Sequence, residues 1–161
     1  METATQFSLI AGMPLGMYSA KVEDTGRLKL PKDFNDCLSK TGLNGFFITS
    51  LDRQIGRIYP ILVWRENLQF LASYCEDPQA AEDVRFNADD LGAEVVMDHM
   101  GRMMLPAELR RELNLDTGTI RLRVEGAYIE LLNEAAYNKR KERAAASGPE
   151  AVHKLQKAGF K

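Results

Sequence analysis

Two arginines in matching sequence contexts are the residues of this chain best suited to recognise another molecule. Arg27 and Arg102 lie 75 positions apart, and each stands in the pattern Gly-Arg-x-x-Leu-Pro. Two copies of this pattern in 161 residues indicate an internal duplication. The guanidinium group is a planar fork that suits phosphate oxygens and the O6/N7 edge of guanine. The arginines therefore predict a nucleic-acid contact that is made by the same position of each copy.

A structural role for the two arginines is also compatible with their spacing. An acid stands four positions before each of them, Glu23 before Arg27 and Asp98 before Arg102. If each acid forms an ion pair with the arginine of its own copy, the arginines would only stabilise the turns. Lys29 lies two positions after Arg27, on the same face of a predicted strand, and favours binding. The spacing alone leaves both roles open.

The other reactive residues form no catalytic or metal-binding pattern. His99 and His153 lie in no recognisable motif with a nucleophile and an acid. Cys37 and Cys75 lack metal-ligand spacing, and we expect reduced, buried thiols. The Asp89-Asp90 pair is expected on a solvated helix face, and His99 is either a turn residue or a contact to a ligand or DNA. The sequence thus predicts a protein that is not an enzyme, with no cofactor and no metal.

Hydrophobic periodicity and turn residues place the first arginine between a turn and a strand. The turn-supporting residues are Glu23, Asp24 and Gly26 in copy one, and Asp98 and Gly101 in copy two. The predicted elements of copy one are strands at 18–22 and 27–30, a helix that begins at Pro31 and ends at Gly42, and a hairpin at 46–49 and 56–59. The helix turns Phe34 and Leu38 inward. A unit this small cannot bury its own apolar faces, so two copies are expected to interlock.

Copy two repeats this plan, and helices join and follow the copies. Its predicted elements are strands at 93–97 and 102–105, a helix with Leu109 and Leu113 inward that ends near Gly118, and a hairpin at 120–124 and 128–132. Arg121 and Arg123 alternate along that hairpin and add positive charge. Apolar stripes predict connector helices at 64–75 and 78–91, with Asp77 as the N-cap of the second. Asn133 is expected to cap a last helix that ends near Ala146, before a break at Ser147-Gly148-Pro149.

Composition sets limits on partners. The net charge of −2 gives no global attraction to nucleic acid or to an anionic membrane, so DNA binding needs local positive charge. No apolar run reaches the roughly 18 residues of a membrane span, and the first residues do not resemble a signal peptide. The predicted division is an N-terminal arm at 1–17, repeats at 18–66 and 93–137, a helical connector at 67–92, and a C-terminal helix and tail at 138–161.

The doubled turn motif, each copy followed by a short helix and a hairpin, resembles the MraZ family. The stretch Tyr59-Pro60-Ile61-Leu62-Val63-Trp64 after the first copy supports this resemblance. The related AbrB-like proteins usually carry one copy per chain. The resemblance implies an α+β fold in which the two halves build a duplicated, swapped-hairpin β-barrel.

The resemblance also implies a function and partners. It implies a sequence-specific transcriptional regulator of the division and cell-wall gene cluster, including its own gene, located in the cytoplasm and on the nucleoid. The partners would be double-stranded DNA with repeated promoter boxes, and further copies of the chain in a homo-oligomeric ring of eight or twelve, without a membrane. Arg27 and Arg102 would contact DNA, with Lys29 and Thr25 beside the first. Thr25 stands where the family often has lysine, and Met104 leaves the second copy less charged.

Two other classes of function remain open from the sequence. One is an antitoxin-like DNA-binding protein whose tail, residues 138–161, holds a protein partner. The other is a structural ring without a DNA role, in which the arginines only fasten turns. If the protein binds DNA, assembly into a ring has a physical advantage. One subunit with few phosphate contacts would bind DNA weakly, and several linked subunits would bind repeated sites with higher avidity.

Overall fold

The computed structural model describes residues 12–43 and 45–161 and has an α+β architecture. Eight strands and five helices are found in these residues. In chain order they are β1 (Tyr18–Ala20), β2 (Arg27–Lys29), α1 (Lys32–Thr41), β3 (Gly45–Ser50), β4 (Gly56–Pro60), α2 (Ile61–Ser73), α3 (Pro78–Leu91), β5 (Ala93–Val96), β6 (Arg102–Met104), α4 (Ala107–Glu112), β7 (Ile120–Glu125), β8 (Tyr128–Leu132) and α5 (Glu134–Lys157).

The strands form one six-stranded antiparallel sheet and one two-stranded ribbon. The order in the large sheet is β1-β7-β8-β4-β3-β5, and β2 pairs with β6 in the ribbon. The large sheet has two free edges, β1 and β5, so the described residues do not form the closed barrel that the family resemblance implied. The coarser expectation, an α+β fold, is confirmed.

The two copies exchange strands. β1 of copy one pairs with β7 of copy two, and β5 of copy two pairs with β3 of copy one. β4 and β8 then join the two hairpins at their centre, with Arg57 opposite Glu130. Each copy therefore completes the sheet of the other, because neither has enough strands to cover its own apolar face.

One hydrophobic core lies beneath both strand groups and both short helices. The inward residues that the helix spacing predicted are buried: Phe34, Leu38 and Leu109 are fully buried and Leu113 is 2% exposed. They pack with ribbon and sheet residues in a single cluster that also includes Met13. The core is thus shared between the copies, as expected for units too small to fold alone.

The helical connector packs on the large sheet and is tied to it by polar contacts. Thr49 donates a hydrogen bond to the carbonyl of Ala88 at 2.8 Å, and Asn87 donates one to the carbonyl of Leu51 at 2.9 Å. Arg53 reaches Asp90 and Glu112, both at 2.8 Å. Asp90 therefore faces an arginine, and Asp89 pairs with Arg85 at 3.0 Å, so the expected solvated acid pair is partly neutralised.

Three local predictions are wrong. α5 does not break at Ser147-Gly148-Pro149 but continues to Lys157 with Pro149 inside it. α4 ends at Glu112, well before Gly118, because Asn114, two residues after the helix, adopts a positive φ of 52°. Cys75 is exposed and Cys37 only half-buried, since α2 ends at Ser73 and leaves Cys75 outside the apolar stripe. The helix caps Asp77 and Asn133 are confirmed by hydrogen bonds from the backbone N–H groups of Ala80 and Ala136.

Two further observations concern membrane spans and the N-terminal arm. No helix among the described residues is long and apolar enough to cross a membrane. The part of the expected arm at 1–11 lies outside the described residues. The rest of it, residues 12–17, contains no helix or strand and places Met13 in the core. The proposed domain limits themselves stay a prediction.

Candidate nucleic-acid interface

The two-stranded ribbon carries both motif arginines on one face. In its register Arg27 is opposite Met104, Leu28 opposite Met103, and Lys29 opposite Arg102. Side chains alternate between the faces of a strand, and Leu28 and Met103 are fully buried. Arg27, Lys29, Arg102 and Met104 therefore share the outer face. Three cations thus lie side by side on a ribbon only two strands wide.

The turn before each ribbon strand has the same backbone geometry in both copies. In copy one, the N–H of Glu23 donates to the carbonyl of Arg27 at 2.8 Å, and the N–H of Gly26 donates to the carbonyl of Glu23 at 2.8 Å. In copy two, Asp98 and Gly101 make the equivalent bonds at 2.9 and 3.0 Å. The glycines have φ values of 88° and 77°, which L-amino acids rarely adopt. The motif glycine is therefore required by the backbone.

Each turn is also fastened to the other copy. The N–H of Leu105 donates to the carbonyl of Gly26 at 3.1 Å, and the N–H of Leu30 donates to the carbonyl of Gly101 at 3.0 Å. These reciprocal bonds place the ribbon centre, Leu28 opposite Met103, on a local twofold axis. The arginines consequently lie at equivalent positions on either side of that axis.

The side chains at the two arginines are not equivalent. Arg102 is held by its own turn: its Nε donates to Asp98 at 3.0 Å, and its Nη1 lies 3.8 Å from Glu23. The pKa of the Asp98 carboxyl is lowered to about 2, mainly by the hydrogen bond that it accepts from the backbone N–H of Arg102. Asp98 also accepts from the N–H of Met100 at 2.8 Å. Asp98 therefore supports both the turn and the guanidinium.

Arg27 has no such support. Within residues 12–43 and 45–161 its guanidinium makes no hydrogen bond or ion pair, and the same is true of the exposed Lys29. The expected ion pair between Glu23 and Arg27 is absent there, because the antiparallel pairing of the ribbon brings Glu23 to Arg102 instead. Arg27 is thus the motif arginine whose donors are available to a ligand.

The remaining candidate residues occupy different places. Thr25 and Asp24 are exposed at the tip of the first turn, and His99 is exposed at the tip of the second. Arg121 does not join the ribbon: its guanidinium lies 4.3 Å from the ring centre of Tyr137. Arg123 pairs with Glu125 at 3.0 Å and with Glu130 at 3.2 Å. The structure therefore gathers the two turns and the ribbon, and leaves the β7 arginines outside.

Two helix residues that no sequence motif had indicated, Arg110 and Asn35, pack against the glycines of the two turns. The Arg110 guanidinium packs on Gly26, where an added Cβ would lie 2.8 Å from its Cζ. The Asn35 amide packs on Gly101 in the same way, at 2.7 Å. These residues are also 75 positions apart, so extending the repeat register into the two helices would have found them.

Comparison with known proteins identifies relatives of this chain. No family model matches the chain. The transcriptional regulator MraZ of Acidobacterium capsulatum is 32% identical over 127 residues, which are 79% of this chain and 86% of the relative. The MraZ proteins of Thermomicrobium roseum and Thiobacillus denitrificans are 27% and 24% identical. Those two matches span 89% and 85% of this chain, and 97% and 92% of the relatives. At this identity and coverage, the chain belongs to the MraZ family of transcriptional regulators.

Proposed function

We propose that the protein is a sequence-specific DNA-binding transcriptional regulator that contacts DNA with the outer face of the β2–β6 ribbon. The observation that carries the proposal is the row of Arg27, Lys29 and Arg102 on that face. A two-stranded ribbon fits the major groove, and arginine forks suit both phosphates and guanine edges. The exchange of first strands between the copies supports the finer proposal of the swapped-hairpin architecture.

The two arginines take different parts in this proposal. Arg27, which is free of protein partners among the described residues, makes the direct contact and contributes most of the discrimination between bases. Arg102 is oriented in advance by Asp98 and presents its remaining Nη2 donors to a phosphate, at a low cost in side-chain entropy. Lys29 adds a second phosphate contact. Thr25 lies at the tip of the first turn, two positions before Arg27.

In this proposal one subunit binds DNA weakly, so the protein must assemble into an oligomer to bind its promoters tightly. The two phosphate contacts, by Arg102 and Lys29, give a slope of about −2 in log K against log salt, at roughly −0.9 per contact. A ring that aligns several ribbons with repeated promoter boxes raises avidity by about 10² to 10⁴. We propose a homo-oligomeric ring of eight or twelve subunits, acting on nucleoid DNA in the cytoplasm. Its targets would be the division and cell-wall genes, including its own gene.

Fluorescence anisotropy with duplex DNA from upstream of its own gene, against a scrambled duplex, tests the proposal. We expect preferential binding that weakens steeply between about 50 and 200 mM salt. Arg27→Ala should abolish the preference, while Lys40→Ala, an exposed cation on α1, serves as the matched control and should keep it. Circular dichroism verifies folding of each variant.

The same measurement separates the competing interpretations. Equal binding to both duplexes would indicate a general DNA coat rather than a regulator of defined promoters. If wild type binds neither duplex at low salt, the DNA-binding proposal is wrong and the interpretation as a structural ring is favoured. The contacts of Arg102 with Asp98 and Glu23 favour that structural role for copy two, but no equivalent contact exists for Arg27 in the described residues.

A further inference from the structure

The last helix extends away from the rest of the chain. α5 packs on β7 and β8 only at its N-terminal end, where Asn133 donates to the carbonyl of Leu113 at 2.6 Å and Tyr137 faces Arg121. Beyond that end, every residue from Ala144 to Lys157 except Gly148 is exposed. Isolated helices of this length are marginal in water, and Pro149 removes one internal hydrogen bond. Packing against another molecule would stabilise this half of α5.

The exposed end of α5 is basic and carries apolar side chains. Val152 and Leu155 stand at i and i+3, on one side of the helix, and are 48% and 53% exposed. Residues 138–161 contain two acids, Glu142 and Glu150, and seven cations, Lys139, Arg140, Lys141, Arg143, Lys154, Lys157 and Lys161. In the described part of the chain no ion pair involves any of these cations. The segment is thus a cationic face with an apolar centre and no acidic partner of its own.

α3 and its flanks present the opposite character. Residues 76–94 contain one cation, Arg85, and seven acids, Glu76, Asp77, Glu82, Asp83, Asp89, Asp90 and Glu94. Phe86 is 60% exposed in the middle of this helix. Acids stand at i−4, i−3, i+3 and i+4 from Phe86, and therefore surround its ring on the helix surface. An apolar centre with a charged rim is the arrangement found in specific protein interfaces.

We propose that the exposed half of α5 of one copy docks against the outer face of α3 of a second copy. Val152 and Leu155 would cover Phe86, and Lys154 and Lys157 would meet the acids around it. No hydrogen bond or ion pair joins α5 to α3 within the described chain, so the partner is a second molecule. Because the two surfaces differ, the contact is head-to-tail, which closes into a ring when its rotation permits. The inference deepens the ring that is part of the proposed function, and rests on it.

A second copy fits these surfaces better than DNA does. Phosphates would satisfy the lysines of α5 but offer nothing to Val152 and Leu155. The acidic face of α3 would repel DNA. Asp89 and Asp90 are paired with Arg85 and Arg53, but Glu82 and Asp83 make no ion pair among the described residues and suit the basic end of a second copy. Contact between copies accounts for both surfaces together.

Charge reversal with rescue tests the interface. Multi-angle light scattering at micromolar concentration and low salt measures the mass of four proteins: wild type, Glu82→Lys/Asp83→Lys, Lys154→Glu/Lys157→Glu, and the combination of all four changes. We expect wild type to be oligomeric, each pair alone to lower the mass towards that of one chain, and the combination to recover most of it. Lys21→Glu/Lys40→Glu, which reverses two exposed cations outside both surfaces, is the control and should keep the wild-type mass.

A second variant tests the apolar centre independently of charge. Phe86→Ser should also lower the mass, while the near-UV circular dichroism of the buried core aromatic residues stays at the wild-type value, because the Phe86 ring is mainly exposed and not part of that core. Rescue by the combined reversal excludes misfolding as the cause of the mass lost in the charge-reversal variants. These measurements use the full chain without DNA, so they do not depend on the arginines.

The outcomes are distinguishable from failure of the proposed function. An oligomeric wild type whose mass is unchanged by both reversals would overturn this interface and leave the ring intact. A monomeric wild type would overturn both. If Lys154→Glu/Lys157→Glu weakens DNA binding at unchanged mass, nucleic acid is the occupant of α5 and the inference between copies is wrong.

Discussion

The two turns of the duplicated motif share a backbone and differ in electrostatics. Both glycines have positive φ, and both turns make the same backbone hydrogen bonds. Yet Arg102 is paired with Asp98 and lies near Glu23, whereas Arg27 has no partner among the described residues. Duplication therefore preserved the geometry that presents an arginine, and the side chains around it diverged. The arginine of copy two is paired within the protein, whereas the donors of Arg27 in copy one are available.

The largest expected effect tests the shared backbone. Gly26→Ala and Gly101→Ala should each lower the free energy of unfolding by about 1–2 kcal/mol, because an L-residue is forced into the left-handed region. The added Cβ also meets Arg110 in one case and Asn35 in the other. Urea unfolding measures the loss. Gly148→Ala, on the exposed part of α5 with open space around it, is the control and should not destabilise the protein. Unequal losses in the free energy of unfolding for the two variants would contradict the equivalence of the two turn backbones.

The next effect tests the divergence of the arginines. Arg27→Ala should lower affinity for the upstream duplex about tenfold or more, the loss expected for one good arginine contact to a base, and should relax the sequence preference while leaving the salt slope nearly unchanged. The urea midpoint should not change, since the guanidinium has no described partner to lose. Arg102→Ala should instead lower the urea midpoint slightly, with a smaller loss of affinity. The reverse pattern, with Arg102 dominant in binding, would contradict the assigned roles.

The stability of the protein should depend on pH through Asp98 of copy two. The pKa of Asp98 is about 2 in the folded protein, below the value of about 3.9 in an unfolded chain. Its contribution to stability is therefore complete above pH 4 and is lost as the pH falls towards 2. Asp98→Asn should remove this part of the acid sensitivity in urea unfolding measured from pH 5 to pH 2. Glu23→Gln, at the matching position of copy one, leaves Asp98 intact and should retain it.

The smallest expected effect concerns Glu23, the acid of copy one that lies near Arg102 of copy two. Glu23 lies 3.8 Å from Arg102, at the limit of an ion pair between partly exposed groups. Contacts of this kind contribute little to stability. Glu23→Gln should therefore leave the urea midpoint unchanged and raise DNA affinity modestly, about twofold, because one negative charge beside the ribbon is removed. A loss of affinity would mean that Glu23 orients Arg102 for DNA.

The sequence predicted what depends on local spacing. The repeat register located both turns, the helix faces of Phe34 and Leu109, and the caps Asp77 and Asn133. It did not predict that Glu23 would approach Arg102, because that contact depends on the antiparallel pairing of strands 75 residues apart. α5 passes through Gly148-Pro149 against local propensity, and the open large sheet depends on long-range pairing.

Arg57 and Glu130 face each other where the central strands of the two copies meet. Aligned by the hairpins, they are the same position of the repeat. In a homodimer of a one-copy ancestor, any residue at this place would face itself, so a charge would always meet a like charge. Fusion of the copies into one chain removes that restriction. Here a cation stands opposite an acid that is only 8% exposed, and Arg123 satisfies that acid at 3.2 Å. A single gene can thus place opposite charges on a symmetry axis, which no self-pairing subunit is able to do.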